Sequence, residues 1–156
     1  MSVLKSKRKE SQFQVFHQAY HLRKQMTDLL LRDFGYKGKR NPHETEKQLE
    51  RRLAFEQWFI VDERKYIIDL LRELITNITM ANNIFPTLEY EYIERRLYQD
   101  KAIGICNALL QELQYAIETL PVDVNNYIRF ADLLQDEIRL LKGWRKSDNR
   151  FRKNFE

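Results

Sequence analysis

The stretch QDKAIGICNALLQELQYAIETLP, residues 99–121, decides how the rest of the chain is read. Gln99, Ile103, Cys106, Leu110, Leu113, Ile117 and Leu120 recur in alternating steps of four and three. That step places them on one face of an α-helix, where a strand would need alternation every second residue. Ala102, Leu109 and Ala116 flank the stripe and widen it toward a packed core, and Pro121 stops it.

The same pattern repeats on both sides. Downstream, Asp123 is placed to cap a helix carrying Val124, Tyr127, Ala131, Leu134, Ile138 and Leu141, with Gly143 near its end. Upstream, a stripe of Ile67, Leu71, Leu74, Ile78 and Ala81, widened by Ile68 and Ile75, starts near Asp62 and ends at Pro86. Farther back, Val15, Ala19, Leu22, Met26 and Leu29 follow Ser11-Gln12-Phe13-Gln14, which reads as a capping box. Gly35 offers that first helix a left-handed stop. Single helices are marginal in water, so four such stripes must bury one another. The short connections at 85–88 and 120–123 predict an all-α, antiparallel up-down-up-down four-helix bundle.

Residues 36–61 stand outside this repeat as an insertion between the first two helices. Asn41-Pro42-His43-Glu44 reads as a helix start, and Leu49, Leu53, Phe55, Trp58 and Phe59 give an apolar side. The expectation is an extra short helix, with a direct run into the second long helix as the alternative. The chain then divides into a basic N-terminal arm (1–10), the bundle (11–145) and a basic C-terminal tail (146–156).

Composition agrees with one helical domain. The 156 residues are 43% apolar and 32% charged, with four Gly and three Pro. Cys106 is the only cysteine, so an internal disulfide and a cysteine zinc cage are excluded. The charged N-terminus is followed by no apolar run, and no segment approaches the ~20 apolar residues of a membrane span. These features lead to an expectation of a cytoplasmic protein with no membrane partner.

The net charge of +4 is unevenly spread. Residues 1–10 carry +3 through Lys5, Lys7, Arg8 and Lys9 against Glu10, residues 142–156 carry +4, and the rest sums to −3. In an up-down-up-down bundle the first helix starts, the third starts and the fourth ends at one end. Lys5, Lys7, Arg8 and Lys9 should therefore meet Arg95, Arg96, Arg145, Lys146, Arg150, Arg152 and Lys153. A patch of this kind attracts phosphate backbones. Solvated tails would carry the same charge, and Glu89, Glu91 and Glu94 would offset part of it. Trp144, Phe151 and Phe155 interleave with the arginines. They could stack bases or dock the tail on the bundle. Arg96 and Gln99 extend the third stripe backward, as a wet end layer or as a buried one.

Signals for catalysis are weak. His17 and His21 share a helix face, yet no Glu-x-x-His or His-Glu-x-x-His accompanies them, so they read as surface residues. Cys106 on the apolar stripe reads as a buried thiol. There is no Gly-rich phosphate loop and no Gly-x-Ser-x-Gly. A non-enzymatic protein without a cofactor is expected.

Several segments carry a family resemblance. Lys5-Ser6-Lys7-Arg8, Leu31-Arg32-Asp33-Phe34-Gly35, Met80-Ala81-Asn82-Asn83-Ile84-Phe85-Pro86, Arg95-Arg96-Leu97-Tyr98-Gln99-Asp100 and Leu141-Lys142-Gly143-Trp144-Arg145-Lys146-Ser147-Asp148 are the residues concerned. They resemble the Avd (accessory variability determinant) proteins of diversity-generating retroelements, four-helix bundles encoded beside reverse transcriptases. The resemblance covers most of the chain outside 36–61. It implies a homo-oligomer, a pentamer in that family, that binds the reverse transcriptase and its template RNA in support of mutagenic cDNA synthesis. The 36–61 insertion departs from the compact family form.

Overall fold

The computed structural model describes residues 3–38 and 41–155, with side chains from Gln14 onward. Four helices account for most of it: α1 (Val3–Leu31), α2 (Glu46–Asn83), α3 (Glu89–Thr119) and α4 (Asn125–Ser147). A 3-10 turn, Asp33–Gly35, ends the α1 segment, and a 3-10 helix, Asp148–Asn154, follows α4. No strand occurs among the described residues.

The helices form a bundle in which α1 packs on α2 and α4, and α3 packs on the same two. Contacts at their ends give the directions. The start of α4 meets the end of the α1 segment, where the Tyr127 hydroxyl donates to the buried Phe34 carbonyl at 2.6 Å. Arg95, near the start of α3, reaches Ala81 and Ile84 at the end of α2, while Phe59 meets Tyr115 at the other end. Asp148, just past α4, bonds Arg95 and Gln99. These pairings are those of an up-down-up-down order.

The helix starts differ from expectation in two places. Helix α1 begins at Val3, so Ser11 lies inside it and the expected arm 1–10 supplies its first turns. Nothing in residues 3–10 is a Gly or Pro that would break the helix. Similarly, the described residues of the insertion hold no separate short helix. One 38-residue helix runs from Glu46 to Asn83, with Asp62 in its interior. Its true start is a capping box at Thr45: Thr45 Oγ1 accepts from Gln48 N–H at 3.2 Å, and Gln48 Oε1 accepts from Thr45 N–H at 3.1 Å. With no Gly or Pro between 46 and 83, the second turn signal near Asp62 has nothing to act on.

The loop before α2 is tied down by ion pairs. Arg52 bridges Glu44, at 2.8 and 2.9 Å, and Glu56, at 3.0 Å. The Tyr36 hydroxyl donates to the same Glu56. Burial, then the Glu56 hydrogen bond and charge, push the Tyr36 phenol up to about 12.

Elsewhere the stops act as the residues suggest. Gly35 has φ +77°, after positive φ at Asp33 and Phe34 that turns the buried Phe34 ring under the bundle. The Asp123 carboxylate accepts from the Asn125 N–H at 3.0 Å in the turn that leads into α4, where Val124 is the capping position. Glu91 accepts from Leu88 N–H at 2.9 Å at the start of α3.

The core repeats the 4-3 step, with a shift of face. Val15, Ala19, Leu22, Met26 and Leu29 are all buried, as are Ile67, Leu71, Leu74, Ile78 and Ala81. On α3 the buried seam is Tyr92, Arg95, Gln99, Ala102, Cys106, Leu109, Leu113, Ala116 and Leu120, while Leu110 and Ile117 are only half-buried. On α4 it is Tyr127, Phe130, Leu134, Glu137, Ile138, Leu141 and Trp144, continued by Asp148 just past its end, while Val124, just before its start, is exposed. Polar residues therefore occupy core positions: Glu56 and Glu63 on α2, Arg95 and Gln99 on α3, and Glu137 and Asp148 along the α4 seam.

Candidate nucleic-acid interface

The expected basic end is built around a buried ion pair. Arg95 Nε donates to Asp148 Oδ2 at 2.7 Å and Nη2 to Oδ1 at 3.2 Å. Its Nη1 donates to the carbonyls of Ala81, at 3.3 Å, and Ile84, at 2.9 Å. The guanidinium also lies over the Trp144 and Phe151 rings, 5.2 and 5.9 Å from their centroids. Gln99 Nε2 adds a 2.7 Å bond to Asp148 Oδ2. Only Arg has the planar fork to hold a carboxylate with one edge and two carbonyls with the other.

This arrangement corrects one expected contact residue. Arg95 is 3% exposed and its donors are committed within the chain, so it is not a surface cation. It joins the end of α2, the first turns of α3 and the 3-10 helix 148–154. The extension of the third stripe is thus a buried layer at Arg95 and Gln99, and Arg96, the neighbour off the seam, is half-buried.

The remaining basic residues divide by what they touch. Arg96 Nη1 donates to the Tyr92 hydroxyl at 3.2 Å and to Asn149 Oδ1 at 3.1 Å. Arg145 pairs with Asp100 at 2.6 Å on an exposed face, a contact worth little in water. The Arg150 guanidinium sits 4.6 Å from the Phe151 ring centroid. Lys146, Arg152 and Lys153 are exposed. These six all lie at the end where α3 begins and α4 stops. The side chains of Lys5, Lys7, Arg8 and Lys9 lie outside the described residues, though their backbone belongs to α1.

The aromatic residues of the tail separate in the same way. Trp144 and Phe151 are buried, and Phe85 packs edge-on against Phe151 at 5.9 Å. They dock the tail onto the bundle. Phe155 stays half-buried against Tyr92, with ring centroids 5.9 Å apart. Glu89, Tyr92, Ile93, Arg152 and Phe155 line a groove of about 430 Å³ there. The signals for this groove are the i,i+3 pair Glu89 and Tyr92 and the i,i+3 pair Arg152 and Phe155, which the sequence alone does not bring together.

Other chemistry-bearing groups sit apart from this end. His17 and His21 are exposed on α1. Among the described residues no group of three or more His, Cys, Asp or Glu could hold a metal ion. The Cys106 thiol is fully buried, and desolvation, with the nearby Glu137, pushes its pKa up. Burial raises the Glu137 carboxyl to about 8, and neither oxygen has a hydrogen-bond partner among the described residues. Glu63 on α2 is raised as well, by burial first and then by its hydrogen bond to Glu112 on α3 and the charges of Glu112 and Asp62. Carboxyls held protonated in this way cannot serve as ion-pairing surface groups. No helix among the described residues is long and apolar enough to cross a membrane.

No family model matches the chain, no curated protein matches it, and no solved structure matches it.

Proposed function

We propose that the chain is a non-enzymatic, nucleic-acid-binding accessory bundle that oligomerises and works with a reverse transcriptase and its template RNA. The observation that carries the binding reading is the ordered basic end: Lys146, Arg150, Arg152 and Lys153 fall within eight residues around a 3-10 helix anchored by the Arg95–Asp148 pair. Cations on an anchored element lose less freedom on binding than cations on a free tail. The reverse transcriptase, the template RNA, the pentameric assembly and the setting in a diversity-generating retroelement come from the resemblance to Avd proteins.

The test is anisotropy of labelled RNA against the purified chain. Four phosphate contacts give a single-strand affinity loss of roughly 50-fold between 50 and 200 mM salt. Charge reversal of Arg145, Lys146, Arg150 and Arg152 together should abolish binding. No binding at low salt, or binding that survives the reversal, removes the basic end from the reading.

A second reading is a self-assembling or protein-binding bundle without nucleic acid. It is favoured by large apolar side chains left in the open: Phe55 and Trp58 on α2, Tyr115 on α3, and Tyr90, Ile93 and Leu97 on α3. Light scattering that shows a defined oligomer, with no RNA bound at 50 mM salt, would select it.

A further inference from the structure

We propose that the groove between α3 and the chain's C-terminal 3-10 helix takes one unpaired nucleobase, so that the basic end selects single-stranded over duplex RNA. The proposal rests on the nucleic-acid reading above and specifies its ligand. Its observation is the lining of the groove: the Phe155 ring against Tyr92, the exposed Ile93 side chain, Arg152 and Glu89.

The chemistry of that lining separates base from backbone. The volume of about 430 Å³ is in the roughly 300–1,000 Å³ range of small-ligand clefts. Phe155 is half-buried and tilted 45° from Tyr92, so the two rings do not consume each other's faces in a parallel stack. A base can lie on the Phe155 face, with Ile93 at its edge. Glu89 makes the groove a poor place for a phosphate, because two like charges would be brought together. A carboxylate instead accepts from the N–H donors on a base edge. Arg152 lines the groove and Lys153 follows it, both exposed, so the flanking phosphates have cations beside the groove. A duplex keeps its bases stacked and cannot supply one here without unpairing, whereas single strands offer splayed bases to aromatic rings.

Two features hold the groove open. Arg96 Nη1 donates to the Tyr92 hydroxyl at 3.2 Å, which fixes that ring as a wall. Phe155 N–H donates to the Arg152 carbonyl at 3.1 Å, which ties the chain end into the 3-10 helix.

The experiment uses the full chain with a labelled, unstructured 12-nucleotide RNA and with the same strand annealed to its complement. Phe155→Ala should weaken single-strand binding roughly 5- to 100-fold, the range for one lost base–aromatic stack, and change duplex binding less than about twofold. Phe155→Trp should restore it. Ile93→Asp, at an exposed position with no core to disturb, should also weaken the single strand selectively. Failure of the wild-type chain to bind either RNA at low salt overturns the nucleic-acid reading itself. Binding of both RNAs with equal affinity, or equal losses for both in Phe155→Ala and Ile93→Asp, overturns the groove while leaving that reading in place.

Discussion

Replacing Glu137 with glutamine should stabilise the protein, and by an amount that depends on pH. Glu137 lies on the buried seam of α4 with 0% exposure, and neither carboxyl oxygen has a partner among the described residues. Burial lifts its pKa from 4.5 to about 8. Below pH 4.5 the carboxyl is protonated in both the folded and unfolded chain, and the native state bears no ionisation penalty. As pH rises from 4.5 toward 8, the unfolded chain ionises and the native state holds its proton. Stability is then lost at about 1.4 kcal/mol per pH unit. The loss amounts to about 3 kcal/mol at pH 7, about 4 kcal/mol at pH 8 and about 5 kcal/mol well above it, a large share of the 5–15 kcal/mol typical of a domain.

Glutamine keeps the shape and removes the proton. Urea unfolding of both proteins at pH 5, 6, 7 and 8 should show Glu137→Gln close to wild type at pH 5 and ahead by about 3 kcal/mol at pH 7. The slope is the decisive reading, because a fixed packing difference would shift all four values together. A stability difference that stays constant from pH 5 to pH 8, or a glutamine variant less stable at pH 8, would refute a buried, unpaired, protonated Glu137. Alkaline sensitivity that remains in the variant belongs to Glu63, which burial and the neighbouring Glu112 raise in the same direction.

Arg95→Met should cost about 3–5 kcal/mol in urea unfolding, because it leaves the Asp148 carboxylate buried without its partner. The folded variant's single-strand RNA affinity, measured by anisotropy, should fall more than its duplex affinity, because the 3-10 helix beside the groove loses the anchor that orients it. Tyr127→Phe should cost about 1–3 kcal/mol, because the buried Phe34 carbonyl loses its donor. Hydrogen exchange should report that loss as faster opening around the 33–35 turn.

The apolar part of the fold was legible because it follows a period. The stripes at 15–29 and 67–81 are buried as they read. The third and fourth stripes were followed onto half-buried or exposed positions, Leu110, Ile117 and Val124, because an apolar template passes over polar residues. The true seams pass through Arg95 and Glu137, which neither stripe contained. What makes a buried arginine tolerable is a carboxylate 53 residues away, which no local pattern contains. The long α2 was obscured for the opposite reason: Asn41-Pro42 and Asp62 both resemble starts, and the Thr45–Gln48 box between them is what caps the helix. That Arg96, Arg145, Lys146, Arg150, Arg152 and Lys153 share one end follows from the topology, but which cations face water does not. Trp144 and Phe151 show why. The same interleaved aromatics that could stack bases are largely spent on docking, and Phe155 alone is left beside a groove.

Folding and the proposed binding are joined at Asp148. Its carboxylate, 2% exposed, is held by Arg95 and Gln99 from α3, and the 3-10 helix it begins carries Arg150, Arg152 and Lys153 and is capped by Phe155. An ion pair buried at this depth is weak evidence for stability, since apolar residues of the same volume often do as well. It does fix direction: the bidentate geometry and the two carbonyl acceptors allow one orientation of the tail on the end of the bundle. Apolar packing of Trp144 and Phe151 alone would leave that orientation loose. Loosening it without unfolding the bundle should therefore affect recognition more than stability. Asp148→Asn keeps the volume, removes the charge and leaves Arg95 its carbonyl partners. If the proposed groove is correct, that variant should lose single-strand preference while retaining salt-dependent attraction to RNA. Equal preference in variant and wild type would mean that the basic end acts only through its charge.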